Sequence, residues 1–319
     1  MINSEEVFIK EFEEKDKEDW NAFVERSKNG TFLHKIEYMH YHLDRFNDCS
    51  LILKNAKNKI VAILPGNVEG DFFYSHKGLT YGGLLILPET KLEDVMIYFN
   101  RFNQYLREEK NIKKVFYKAI PYIYSSIPAQ EDEYALFRHN AKLTGCGISS
   151  AILMENCLPF STLRKRGIKK AKKWNLEIKK DYSYEDFWRV LTENLEYRHD
   201  TKPVHTLNEI IQLKNRFKEN IELYSVYMEG ECVAGVLMYI TENVAHVQYI
   251  SANQSGKEIS ALDFLFDYLI NQRYSNVRYF DFGTSVEKQG FFLNEGLSFQ
   301  KQGFGARGVV YQYFEYDLN

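Results

Sequence analysis

The sequence contains little that would mark a membrane-spanning, secreted or metal-binding protein. Its longest apolar runs, residues 82–87 and 233–240, fall far short of the roughly 20 residues that span a bilayer. The N-terminus lacks the basic and apolar regions of an export signal, which predicts a cytoplasmic protein. The 4 cysteines show no C-x-x-C spacing, so we expect reduced thiols, no disulfide framework and no metal.

The chain also lacks a strong charge of one sign, since its formal net charge is −3 at pH 7. This value speaks against DNA as a partner and against wholesale binding to anionic surfaces. Residues 164–180 are the exception, with nine basic side chains and one acidic one, Glu177. On a helix they would form a cationic face for a nucleotide-sugar pyrophosphate, a lipid-carrier phosphate or a transfer-RNA backbone, or else a solvated surface.

What the chain has in quantity is ordinary globular composition with many aromatic residues. Hydrophobic residues make up 45% and charged residues 27%, which predicts a chain that folds throughout. The length of 319 residues predicts two lobes of roughly 150 residues each. The 23 tyrosines and 23 phenylalanines suit a cleft for a polar, sugar-like or peptide ligand, although many of them will serve the core.

The predicted elements occur twice in the same order. In each copy a hairpin is followed by an apolar strand, a helix with one apolar face and a further strand. The first copy comprises residues 51–63, 78–87, 91–110 and 113–117, and the second comprises residues 223–240, 244–251, 258–272 and 277–282. Leading helices are predicted at 17–27 and 36–46 in the first copy and at 163–174, 184–197 and 207–217 in the second. We infer an internal duplication with lobes 1–147 and 148–319.

Short motifs in the second copy carry a resemblance to a known family. They are Leu-Arg-Lys-Arg-Gly-Ile-Lys-Lys-Ala-Lys-Lys at 163–173, Tyr-Arg-His at 197–199, Tyr-Phe-Asp-Phe-Gly at 279–283, Asn-Glu-Gly-Leu at 294–297 and Lys-Gln-Gly-Phe-Gly at 301–305. Together with Ser-His-Lys-Gly-Leu-Thr-Tyr-Gly-Gly at 75–83, they make the chain resemble the Fem family and its GNAT-superfamily relatives. Those are tandem-GNAT proteins that transfer aminoacyl or acyl groups onto amines of cell-wall precursors and envelope sugars.

The resemblance implies an α/β (α+β) fold of two tandem GNAT-like lobes, each a mixed, mostly antiparallel sheet flanked by helices. It places the acyl-donor site in the C-terminal lobe. Two departures concern the donor: the long coiled-coil arm of some Fem enzymes is absent, and Gln300 precedes Lys301 where the Fem pattern has an aromatic residue. Both departures weaken the case for aminoacyl-tRNA.

By resemblance, the donor site is predicted where a helix follows the strand at 244–251 of the second copy. A helix N-terminus presents backbone N–H groups and a positive dipole end to phosphates. The candidate cofactor-binding residues are Asn253, Gln254, Ser255, Gly256 and Lys257. Here Gly256 would let the backbone approach a pyrophosphate and Lys257 would add a cation, although an ordinary helix start would look much the same. The expected co-substrate is acetyl-CoA or another acyl-CoA.

Amine acylation needs a group that removes a proton from the attacking nitrogen. The candidates are His246, Tyr249 and Asp281, with Gln248 as a substrate contact. In a regular strand His246 and Gln248 share one face and Tyr249 lies on the other, and the sequence cannot choose between the faces. A carboxylate in mid-strand, as at Asp281, should meet a cation, a hydroxyl or the substrate amine, in a structural or a catalytic role.

Further substrate contacts are predicted in three places. Arg198, His199 and His205 share a segment between two predicted helices, where arginine can grip a phosphate or carboxylate with two hydrogen bonds. The glycine-rich segment 75–83 offers His76 and Tyr81, as an acceptor loop or as a bulged strand that only packs. By resemblance, Lys301 contacts the acceptor's phosphate; the alternative is an ordinary exposed strand lysine.

Three functional hypotheses follow. The leading one is an N-acyltransferase that moves an acyl group from acyl-CoA to an amino group of a small-molecule or lipid-linked envelope polysaccharide or amino-sugar precursor. The second is aminoacyl-tRNA-dependent transfer to a cell-wall precursor, with tRNA as a partner. The third is a binding module on a GNAT scaffold that has lost catalysis, because fold alone does not confer function.

Overall fold

The computed structural model of the protein describes residues 7–199 and 202–318. The chain divides into two compact units. The first unit comprises Met1–Gly147, Val286–Phe292 and Val310–Asn319, and the second comprises Ile148–Ser285 and Leu293–Val309. Two later segments thus belong to the first unit, whereas the predicted division assigns all of 148–319 to the second lobe.

The elements of the first part of the chain follow the predicted order, except that the strand predicted at 78–87 is reduced to Leu85–Ile86. Its helices are α1 (Lys17–Arg26), α2 (Ile36–Met39), α3 (Leu92–Glu108) and α4 (Glu131–Arg138). Its strands are β1 (Val7–Glu11), β2 (Asn47–Asp48), β3 (Leu51–Asn55), β4 (Ile60–Leu64), β5 (Asn67–Glu69), β6 (Phe72–Tyr74), β7 (Leu85–Ile86), β8 (Lys114–Lys118) and β9 (Lys142–Leu153). The helix predicted at 36–46 is shorter than expected, because α2 ends at Met39 and a 3-10 turn continues over His40–His42.

The remaining elements form the second copy. Its helices are α5 (Thr162–Ala171), α6 (Tyr184–His199), α7 (Leu207–Arg216), α8 (Gln254–Ile259), α9 (Ala261–Tyr268), which a π turn extends over Leu269–Arg273, and α10 (Glu295–Gln302). Its strands are β10 (Leu176–Lys180), β11 (Ile221–Met228), β12 (Glu231–Ile240), β13 (Val244–Ala252), β14 (Tyr279–Thr284), β15 (Val286–Glu287), β16 (Phe292–Leu293) and β17 (Arg307–Asp317).

In the first unit, β1, β3, β4 and β7 form an antiparallel sheet in the order β1-β3-β4-β7. Strands β2, β5, β6 and β8 lie side by side, and residues 313–317 of β17 pair with β8. Within this set only β6 and β8 run parallel. The apolar face predicted for α3 comprises Leu92, Val95, Phe99, Phe102 and Leu106, and all of these are buried except Leu92, which is 41% exposed at the start of the helix.

In the second unit the strand order is β10-β11-β12-β13-β14, with residues 149–153 of β9 paired to β14. All pairs are antiparallel except β13 with β14, which run parallel. One sheet face packs on α9, whose Leu265 and Phe266 are fully buried. The other face receives α6, where the main-chain oxygen of Val190 accepts a hydrogen bond from Ser251 at 3.2 Å.

The helix predicted at 258–272 begins earlier and is broken. It starts at Gln254, and Ser260 adopts a left-handed φ of 65° that separates α8 from α9. The prediction missed the start because residues 253–257 contain no apolar position to mark a helical face. Lys301 also differs from its strand alternative, since it lies on α10 and is buried.

Candidate active site in the second unit

A histidine and a buried carboxylate meet where β13 and β14 run side by side. His246 and Asp281 are register partners, and Nδ1 of His246 lies 2.8 Å from Oδ2 of Asp281. The side chain of Asp281 is fully buried, while that of His246 is 12% exposed. The predicted candidates His246 and Asp281 therefore form one dyad, and the cation or hydroxyl expected beside Asp281 is present.

The surroundings of Asp281 hold it as an anion. Its Oδ1 accepts hydrogen bonds from the Ser149 hydroxyl and, at 3.1 Å, from the Gly283 N–H. Burial alone would raise the pKa of Asp281, but the hydrogen bonds from His246, Ser149 and Gly283 outweigh burial and hold this pKa below its usual value. An ionised Asp281 accepts the Nδ1 proton of His246, which assigns the lone pair to Nε2.

Glycine at 283 and lysine at 301 shape the strand end beside the dyad. Gly283 has a left-handed φ of 75°, and a Cβ there would lie 3.3 Å from Cε1 of His246. The Lys301 ammonium donates to the main-chain oxygens of Gly283 at 2.8 Å and Thr284 at 2.7 Å. Burial lowers the pKa of Lys301 to about 8, while the charge of Asp281 acts in the opposite direction. Its phosphate contact remains a prediction.

A β-bulge in β13 brings Tyr249 onto the face of His246. Leu237 of β12 pairs with Tyr249 but Met238 pairs with Val247, so Gln248 is the extra residue. Ala245 and Val247 before the bulge, like Ala252 after it, belong to the core on the α9 side. His246 and Tyr249 consequently share the opposite face, which differs from the predicted choice between them.

Tyr249 belongs to a second polar pair on this face. Its hydroxyl lies 2.7 Å from Nδ1 of the buried His205 and accepts the His205 N–H at 3.2 Å. The side chain of Gln248 also hydrogen-bonds the Tyr249 phenol. The Tyr249 ring packs edge-on against Trp188, with 5.3 Å between ring centroids. Burial raises the pKa of Tyr249 to about 12, so the phenol keeps its proton at neutral pH.

Beyond the dyad the two parallel strands part. Pairing of β13 with β14 extends over 244–246 and 279–281, and no further pair between them occurs within the described residues. Strand β13 nevertheless continues to Ala252, and α8 begins two residues later, at Gln254. The edge of β13 that follows His246 therefore leads from the dyad to the start of α8.

An open cleft of about 590 Å³ lies at this end of β13. Helix α5 lines it with Leu163, Arg166 and Lys170, and α8 lines it with Gly256 and Lys257. The carboxylate in the lining, Asp263, is neutralised by Arg164 at 2.6 Å. Three further cations, those of Arg166, Lys170 and Lys257, thus surround a space next to a helix start, which suits a ligand with several phosphates.

The predicted donor residues have separate structural roles. Oδ1 of Asn253 caps α8 by accepting the Gly256 N–H at 2.8 Å, and Gln254 and Ser255 are exposed in its first turn. The Lys257 ammonium lies 2.5 Å from Oδ1 of Asn194. Gly256 also has a packing role, because a Cβ there would lie 2.2 Å from the main-chain oxygen of Val233, so α8 needs glycine to pack on β12; its approach to a pyrophosphate stays a prediction.

The remaining predicted contacts do not join this site in the described residues. Arg198 and His199 lie at the end of α6, and their side chains fall outside what the structure describes. His76 and Tyr81 are buried in the first unit, where the Tyr81 hydroxyl donates to Oγ1 of Thr31 at 3.3 Å. Their roles in substrate binding remain predictions.

The described ranges hold no group of three or more side chains with metal-binding atoms placed to bind an ion. None of the helices among these residues is long and apolar enough to cross a membrane.

Sequence reasoning missed Ser149, which orients Asp281 from β9. A serine in a strand carries no local signal, and the contact depends on pairing between residues 132 positions apart. Arg166 and Lys170 belong to the basic run at 164–180, so the charge pattern indicated their neighbourhood but not their cleft.

Comparison with known proteins agrees with this architecture. Residues 164–290 match the family described as "Acetyltransferase (GNAT) domain". No curated protein matches the sequence.

Three solved structures share the fold. FemX superposes with a TM-score of 0.67 at 11% identity, covering 98% of both chains. L-PGS from Bacillus licheniformis has a TM-score of 0.63 at 13% identity, covering 96% of this chain and 93% of that one. A tandem GNAT protein from the clavulanic acid biosynthesis pathway has a TM-score of 0.54 at 9% identity, covering 98% and 99%.

Residues 164–290 match the GNAT acetyltransferase domain family, which indicates an acyltransferase, and the whole chain shares the fold of FemX. The predicted fold class, two tandem GNAT-like lobes with mixed and mostly antiparallel sheets, is confirmed. The hypothesis of a non-catalytic module is left without support.

Proposed function

We propose that the protein transfers an acyl group from acyl-CoA to an amino group of a cell-envelope polysaccharide or amino-sugar precursor. The observation that carries this proposal is the His246–Asp281 dyad at the point where β13 and β14 part. His246 would be the general base, and the far end of its strand reaches a cationic cleft.

The spacing along β13 favours a donor of the acyl-CoA type. Ala252 at the cleft lies six residues after His246, or about 20 Å at roughly 3.3 Å per residue. A donor that contacts both ends must separate its phosphates from its reactive carbonyl by a long, thin linker. The pantetheine arm of CoA provides such a linker, and the open edge of β13 offers main-chain groups along its path.

The dyad can carry the proton transfer of direct acyl transfer. The acceptor nitrogen attacks the thioester carbonyl, a C–N bond forms, and the C–S bond breaks to release the CoA thiolate. Nε2 of His246 accepts the proton that the nitrogen loses and returns it to the thiolate, while ionised Asp281 stabilises the intermediate imidazolium. No covalent enzyme intermediate is needed.

The acceptor class comes from the resemblance of the sequence to the Fem family. The surface near the dyad suits a sugar-like acceptor, because the aromatic side chain of Tyr249 lies on the same face as His246. The aminoacyl-tRNA alternative draws on one feature, the exposed cations of α5.

A transfer assay tests the proposal. The protein is incubated with labelled acetyl-CoA and a panel of amino sugars and their nucleotide-linked forms, and products are identified by mass spectrometry. We expect N-acetylated product with wild type and with His139→Gln, a matched histidine change in the first unit, but none with His246→Gln. Product formed from aminoacyl-tRNA and from no acyl-CoA would overturn the choice of donor.

A further inference from the structure

We propose that the outer face of α5 is a docking surface for an anionic lipid bilayer. Helix α5 buries Gly167, Ile168 and Ala171 against the second unit. Helical geometry places Arg166 and Lys169 on the opposite side, since residues three apart share a face, and Lys173 follows in the turn after the helix. All three are exposed.

The charge of this face is largely uncompensated. Exposed cations on α5 and the turn after it are Lys165, Arg166, Lys169, Lys170, Lys172 and Lys173. Among ion pairs of the described residues, only Lys172 with Asp267, at 3.1 Å, involves one of them. Because the whole chain has a net charge of −3, the rest of the protein is net acidic. An anionic surface would therefore attract this face and repel the remainder, which orients the protein.

Apolar side chains stand among these cations. Leu163 at the start of α5 is 50% exposed, and Trp174, just after the helix, is also 50% exposed. Phe299 of α10 is 67% exposed and lines the same cleft as Leu163 and Arg166. A cationic helix face beside exposed leucine, phenylalanine and tryptophan is the pattern of interfacial membrane binding, in which apolar groups enter the headgroup boundary.

The apolar side chains distinguish a bilayer from nucleic acid. Phosphate contacts to RNA would use the lysines and could stack a base on an aromatic ring. They would leave Leu163 in water, whereas a bilayer removes it from water. The inference does not depend on the proposed acyl transfer, because docking is measured without donor or acceptor.

Vesicle binding tests the surface with the full chain. Flotation with phosphatidylcholine vesicles is compared with flotation on vesicles that also contain phosphatidylglycerol. Each lysine near an anionic bilayer strengthens binding about five-fold, so Lys169→Gln with Lys173→Gln should weaken binding to the anionic vesicles about 25-fold. Neither lysine lines the cleft assigned to the donor. Lys57→Gln with Lys59→Gln, an equal charge change at an exposed turn of the first unit, should leave binding unchanged.

Tryptophan fluorescence provides the second readout. Of the three tryptophans, Trp20 and Trp188 are 0% and 7% exposed, so Trp174 is the one able to enter a bilayer. We expect a blue shift of emission with anionic vesicles that disappears in Trp174→Phe. Absence of wild-type binding, equal binding to both kinds of vesicle, or unchanged binding of the double lysine variant would overturn the proposal. So would tRNA binding that depends on Lys169 and Lys173 without vesicle binding.

Discussion

The two units repeat one order of elements, yet the helix that follows the third strand begins differently in each. The first turn of α3 holds Glu93 and Asp94, and the Asp94 carboxylate accepts the Lys91 N–H at 3.2 Å. The first turn of α8 holds no acidic residue, and Lys257 follows. An anionic ligand would be repelled at α3 and attracted at α8, which agrees with placing the proposed phosphate site at α8 and not at α3.

The two units also differ in the strands beside these helices. In the second unit β14 has β13 as its parallel neighbour, and the two part after three paired residues. In the first unit the corresponding strand, β8, instead pairs in parallel with β6, which belongs to an extra hairpin with β5. This hairpin covers the edge of β8. In the second unit the corresponding edge of β14 is open beyond Asp281. A shared fold therefore does not imply a shared site.

The largest expected effect is the loss of the general base from the second unit. His246→Gln should lower kcat by about 10²–10⁴-fold, since proton transfer by a positioned side chain contributes about that much. Acetyl-CoA should still bind, because His246 does not line the cleft. Steady-state kinetics with a binding titration checks both parts. A variant that keeps full kcat would show that the dyad is structural.

The first unit should respond most to acid. Burial lowers the pKa of His34 to about 4, and its Nδ1 accepts the Thr31 N–H at 3.1 Å. Below pH 6.5 His34 is protonated in the unfolded chain but stays neutral in the folded one. The contribution of neutral His34 to the free energy of unfolding is therefore present above that pH and is lost as pH falls towards 4. The loss at pH 4.5 amounts to about 3 kcal/mol.

Urea unfolding of wild type and His34→Gln at pH 7.5 and 4.5 measures this loss. The difference between the two proteins isolates it, because Asp132, whose pKa burial raises to about 7, acts with the opposite sign in both. A difference that stays constant between the two pH values would contradict the assignment.

A packing test separates the two roles given to Gly256. Gly256→Ala should lower the free energy of unfolding by about 2 kcal/mol, because the new Cβ collides with the Val233 main-chain oxygen. Gly296→Ala, on α10 where a Cβ meets nothing closer than 3.8 Å, is the control and should be neutral or slightly stabilising. Thermal unfolding of both variants measures the difference. If the two variants are equally stable, Gly256 has no packing role and only its ligand role is left.

The smallest expected effect concerns Ser149. Ser149→Ala removes one donor to the Asp281 anion, which should raise the pKa of Asp281 and cost about 1 kcal/mol. We expect activity to fall about five-fold, with the acid limb of the pH–rate profile moved to higher pH, and Ser149→Thr to restore both. A lowered rate with an unmoved profile would indicate a packing role only.

Periodicity in the sequence predicted more of the fold than of the candidate site. The hairpins, α3 and β13 follow alternation and helical spacing, which are local properties, and they occur where predicted. The meeting of His246 with Asp281 depends on strand register, and their common face with Tyr249 depends on a bulge at Gln248. Neither leaves a pattern in neighbouring residues, because both arise from pairing between distant segments.

A melting scan with acetyl-CoA, on wild type and on Lys170→Gln with Lys257→Gln, is the most direct test of the donor site. At 100 times its dissociation constant, one bound donor stabilises the folded protein by about 2.7 kcal/mol. We predict this stabilisation for wild type and for the Lys57→Gln, Lys59→Gln control, and a much smaller one for the cleft variant. No response of wild type to any acyl-CoA, or an equal response of the cleft variant, would contradict the donor site in the second unit.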